Sequence, residues 1–155
     1  MLFILFSAGD DSYAIAANEV EEVVPYARLK SLPQTHPALV GLLNFHGQPI
    51  PVLDVNQMLG QKPVEELFTT RILLCRGVLR SEPEKLLGLV AENVIETLHT
   101  DEKAFRSSGV SSGEAPYAGP IFEMADGRYL QRVHVSRILP EELARKLFED
   151  IQEAV

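Results

Sequence analysis

The 155 residues are 46% hydrophobic and 23% charged, enough for one domain with a real core. The net charge of −8 is not confined to one half, so it excludes a nucleic-acid backbone as partner but suits a basic patch on a protein. Ten Gly and ten Pro favour short strands over long helices.

Leu2 to Phe6 is continuously apolar and reads as a first strand covered on both faces. It is too short for a signal-peptide core or a membrane span. Gly9-Asp10-Asp11-Ser12 turns the chain into a second strand, Tyr13–Ala16. Asn18 is placed to cap a helical turn at Glu19-Val20-Glu21, before a short strand at Val23-Val24 that Pro25 ends. Two apolar runs between Val40 and Asp54 flank His46-Gly47-Gln48, a hairpin signal. Pro49 and Pro51, two apart, turn their missing N–H groups the same way, which suits an edge strand or a bulge. Asp54 caps a short helix through Leu59 that Gly60 stops.

Residues 61–68 read as a polar loop, followed by strands at Thr70–Cys75, Leu86–Val90 and Val94–Leu98. A loop over Thr100–Pro116 leads to a last hairpin, Tyr117–Met124 and Tyr129–Val135, around Asp126-Gly127. Pro140-Glu141-Glu142 opens a terminal helix with Leu143, Leu147 and Ile151 as its apolar stripe. About nine or ten short strands predict an all-β fold of small barrels or a sandwich, and the same gross plan runs twice.

Few residues invite chemistry. No phosphate loop, nucleophile elbow or zinc-protease motif occurs. His36, His46, His99 and His134 share no ligand spacing, and His134 between two valines reads as the outer face of a strand. Cys75, the single cysteine, reads as a buried thiol; it fits a reducing cytoplasm and can form no internal disulfide. Glu19, Glu21 and Glu22 read as a solvated acidic face from which one could dock on a basic partner. Arg128, Arg132 and Arg137 read as surface or partner contacts. We therefore expect no enzyme, no cofactor and no metal. The competing readings are an oligonucleotide-binding barrel, for which the charge is wrong, and a small-ligand sensor or enzyme with Glu92, Arg132 and His134 around a pocket.

The ordered set Tyr13-x-Ile15, Val20-x-Glu22-Val23, Gly41-Leu42-Leu43-Asn44-Phe45-His46-Gly47 and Pro49-x-Pro51-Val52-Leu53-Asp54 resembles the CheW-like domain. Gly88 to Val94, Tyr117-x-Gly119 and Asp126-Gly127-Arg128 extend the resemblance over residues 2–139. It implies two intertwined SH3-like five-stranded barrels around a hydrophobic seam in residues 1–139, with 140–155 as a C-terminal helix. It further implies a cytoplasmic adaptor that binds the regulatory domain of a CheA-type histidine kinase and the cytoplasmic tip of a chemoreceptor, without membrane insertion. Val20, Glu22, Asn44, His46 and Gly47 match its partner-binding positions. His46 stands where the family carries arginine, with less reach and fewer donors, which implies a pathway tuned to a different receptor or kinase.

Overall fold

A computed structural model of the chain describes residues 1–32, 36–107 and 119–154. Nine strands lie in them: β1 (Leu2–Ala8), β2 (Asp11–Ala16), β3 (Val20–Pro25), β4 (Leu39–Phe45), β5 (Gln48–Asp54), β6 (Arg71–Cys75), β7 (Leu87–His99), β8 (Ile121–Glu123) and β9 (Tyr129–Arg132). The α-helices are α1 (Val55–Met58), α2 (Val135–Ile138) and α3 (Glu141–Ala154).

The strands form two five-membered sets that share β7. One runs β4-β5-β7-β6-β3 and the other β8-β9-β2-β1-β7. In both, the successive pairings are antiparallel, parallel, antiparallel, antiparallel. In each, chain leaving the last strand returns to the first through one reciprocal bridge: Lys30 with Leu42 at 2.9 and 2.8 Å, and Arg106 with Ile121 at 2.7 Å both ways. These are two SH3-like barrel subdomains, called below the β4 barrel and the β8 barrel. They are intertwined. The β1–β2 hairpin of the β8 barrel feeds β3 of the β4 barrel, and the β6–β7 hairpin of the β4 barrel runs on into the β8 barrel.

The apolar runs are continuous because both strand faces are buried. Along β2, Ala14 and Ala16 enter the β8 barrel with Phe3, Leu5, Phe105 and Leu130, while Tyr13 and Ile15 face the seam. Along β6, Ile72 and Leu74 enter the β4 barrel with Leu43, Ile50, Val52 and Val90, while Leu73 and Cys75 face the seam. The seam is the largest apolar cluster, and Ala144, Leu147, Phe148 and Ile151 of α3 close one side of it.

Several expectations change. Leu86–Val90 and Val94–Leu98 are parts of one strand, β7; Leu87–Ala91 pairs with β6 and Glu92–His99 with β1. Asn93, at φ 52, hides this continuity by kinking the strand where it changes barrels. Asn18 caps nothing: the 3₁₀ turn is Ala17–Glu19 and has no side-chain cap, because the β3–β6 ladder claims the chain from Val20, opposite Cys75. His134 is not on a strand. β9 stops at Arg132, and His134 is the extended residue before α2, an element the sequence reading lacked. Leu143 is 46% exposed; the buried stripe of α3 runs through Ala144 instead. Only Gln48–Pro51 of β5 is an open edge, since Val52–Asp54 also pairs with β7. Residues 108–118, including Tyr117, lie outside the described residues.

Candidate protein-interaction surface

The β4–β5 connection is a two-residue turn, His46-Gly47, with φ of 51° and 82°. Two left-handed residues make the hairpin turn whose twist matches that of the strands. Asn44 holds it: its Oδ1 accepts a hydrogen bond from the Gly47 N–H at 2.9 Å. The His46 ring leans on Phe45, centroids 4.2 Å apart and planes at 60°. Beside the turn lies a shallow, mostly apolar hollow of about 190 Å³, lined by Lys30, Leu42, Leu43, Asn44, Gly47 and Pro49.

The five residues singled out in the sequence therefore divide. His46 and Gly47 are exposed at the hairpin tip, and Asn44 shapes that tip from beside it. Glu22 is exposed on β3, and no ion pair engages it among the described residues. Val20 is 8% exposed and packs in the seam opposite Cys75, so its side chain acts through the core. Of the other two glutamates, Glu21 pairs with Arg76 at the surface. Glu19 turns inward.

Glu19 leads to an internal ion cluster that sequence reading missed. Arg132, 3% exposed, is neither a surface nor a partner contact. Its guanidinium meets Glu19 at 3.2 Å and Glu102 at 2.9 Å, donates to the Val133 carbonyl, and stacks 5.3 Å from the Phe3 ring. Glu19 also accepts from the Val135 N–H at 3.4 Å, fixing the start of α2. The proximity of Arg132 to Leu130 was the only local signal, because its partner Glu19 is 113 residues away. Next to this cluster, burial and then the Arg132 charge hold His134 below the ordinary histidine range. Burial drives the Cys75 thiol far above its ordinary value, with the Glu19 charge adding to it, so the thiol stays protonated and unreactive.

Glu92, Arg132 and His134 do not converge on a pocket. Glu92 accepts from Asn56 Nδ2 and the Glu65 N–H at 2.9 and 3.0 Å, on the α1 side. Among the described residues no group of three or more His, Cys, Asp or Glu side chains could hold a metal ion, and no helix is long and apolar enough to cross a membrane.

A second exposed feature also went unread, inside what had looked like a polar loop. Phe68 is 96% exposed, Leu67 47% and Ile95 64%. The turn that carries Phe68 is nevertheless tied down. Thr70 Oγ1 donates to the Glu65 carbonyl at 2.6 Å and accepts from the Leu67 N–H at 3.0 Å, and Arg71 donates to the Phe68 carbonyl at 2.5 Å. Thr69 joins it to Asn93 and Val94 on β7. Further back, buried Asp54 caps α1 through Asn56 and Gln57 and accepts from the Val64 N–H at 3.0 Å. The Leu67-Phe68 pair among polar neighbours was the available signal.

Comparison with known proteins bears on both barrels. The chain is 27% identical over 100 residues to a probable chemotaxis protein CheW of Rhizobium etli, covering 64% of this chain and 61% of that protein. It is 22% identical over 141 residues to the chemotaxis protein CheW of Rhizobium meliloti, covering 90% and 87%. The crystal structure of the scaffolding protein TtCheW from Thermoanaerobacter tengcongensis superposes with a TM-score of 0.75 at 20% identity, over 89% of this chain and 86% of that one. The family model of the CheW-like domain matches residues 2–143, from β1 through the first turn of α3, and the chain belongs to that family.

Proposed function

We propose that this protein is a non-catalytic cytoplasmic adaptor that couples a chemoreceptor-type sensor to a CheA-type histidine kinase. The family and the names of the rhizobial relatives support a chemotaxis role. The observation that carries the reading is the hairpin tip: an exposed His46-Gly47 turn held by Asn44 beside a mostly apolar hollow, on a scaffold whose buried Arg132 is taken up by Glu19 and Glu102. A helical receptor tip can lay an apolar side chain in such a hollow while a polar neighbour meets the turn. Coupling then consists of holding two proteins at fixed geometry, so that a shift in one biases the other.

His46 in place of arginine removes the two-pronged donor that the family carries there. We read it as a change of receptor specificity within the same role, and the output pathway as one tuned to that receptor.

The test uses chemoreceptor tips and CheA-type regulatory domains from the same organism. Calorimetric titration is expected to give saturable binding of both to one copy. His46→Glu is expected to weaken the receptor at least about tenfold and to leave the kinase unchanged. Failure of the wild-type protein to bind either one ends the adaptor reading.

A further inference from the structure

The chain carries a protruding aromatic ring and a hollow able to receive one. Phe68 is the most exposed large apolar side chain among the described residues, on a turn with every anchor already described. A free ring on a mobile loop would lose entropy on docking; a ring held in advance loses less. The hollow beside the hairpin holds about 190 Å³. An apolar cavity of about 150 Å³ suffices for benzene, so this one admits a phenyl ring.

Their rims are opposite in charge. Glu65 and Glu66 precede the ring and are exposed; Lys30 stands at the hollow, exposed, with no ion pair among the described residues. The two features are also close together. Glu66 and Tyr26 line one surface hollow, and Tyr26 is four residues from Lys30, at most about 14 Å of chain. A two-fold axis passing between ring and hollow lets each copy serve the other, and such a contact closes at two.

We propose that two copies of this chain pair through their β4 barrels, each setting Phe68 into the other's hollow with Lys30 facing the partner's Glu65 and Glu66. The patch is small, so the pair is weak and reversible. It goes beyond the adaptor reading and stands without it. If that reading also holds, a receptor tip and a second copy compete for the same hollow.

Sedimentation equilibrium of the intact protein, up to about 0.5 mM at about 0.15 M salt, tests this directly. A monomer–dimer equilibrium is expected. Phe68→Ser should weaken it at least about tenfold, and the ring's exposure makes that variant safe for folding. Lys30→Glu should weaken it too, and Lys30→Glu with Glu65→Lys should restore part of the loss. A chain that stays monomeric throughout overturns the proposal, and so does a dimer indifferent to Phe68→Ser. Loss of kinase-domain binding by Phe68→Ser, without self-association of the wild type, assigns the ring to that partner and likewise overturns it.

Discussion

Arg132 has two carboxylates, a carbonyl and an aromatic face around one buried guanidinium, and so ties several parts of the chain together. Glu19 belongs to the turn between barrels, Glu102 to the chain after β7, and Val133 to the approach to α2. Removing one member of a fully buried pair costs roughly 3–5 kcal/mol. Glu19 and Glu102 keep 26% and 42% of their side-chain exposure, so water can take over part of the loss. Arg132→Met is expected to destabilise the fold by roughly 2–3 kcal/mol, measured by urea denaturation, and Glu102→Gln by less. His134 adds a pH dependence. It faces Arg132, Glu19, Glu102 and Arg137, and burial and the Arg132 charge hold its folded pKa below the ordinary histidine value of 6.5. The unfolded chain therefore takes up the proton first as pH falls. The stability linked to His134 is complete above about 6.5 and drains away as pH drops through that value. Denaturation at pH 7.5 and 5.5, values on either side of the ordinary histidine pKa, should show a larger loss for wild type than for His134→Asn.

At the level of the elements, each barrel has a glycine that lets backbones meet, at the closing bridge in the β4 barrel and beside β9 in the β8 barrel. A Cβ on Gly41 would lie 2.5 Å from the Lys30 carbonyl, and one on Gly119 would strike the Arg132 carbonyl. Gly41→Ala is expected to break the Lys30–Leu42 bridge and cost roughly 1–3 kcal/mol, with faster amide exchange at Leu42 as the local readout. The strand order was partly legible beforehand. The His46-Gly47 turn, the Asp54 cap and the Gly60 stop needed only local chemistry, and they stand where the sequence put them. What failed needed a partner distant in the chain. Asn18 looks like a cap until the β6 ladder takes the chain from Val20. Leu143 fits a four-residue stripe until the seam selects the face containing Ala144 and Phe148. Val94–Leu98 looks separate until β1 extends the same strand past Asn93.

For the molecule as a whole, the two barrel cores and the seam between them are three apolar clusters joined through shared strands. Neither barrel keeps its strand complement if the other opens. Unfolding is expected to be a single transition, with core amides of Leu5 in the β8 barrel and Leu74 in the β4 barrel exchanging at the same free energy under native conditions. The all-β class followed from the many short strands between turn signals, and the two-barrel plan from the family resemblance alone. Of the surface proposed for docking, only the hairpin was singled out in the sequence, since Phe68 sat among polar residues and Val20 proved to be core.

Because β7 is owned in common, the molecule offers no place where a gene could be divided into halves that each stand alone. A descendant that changes its surface has to do so by exchanging side chains, since deleting either barrel takes a rung out of the survivor. Gain and loss of connections in such a lineage is a matter of point replacement, written on an architecture that must be inherited whole.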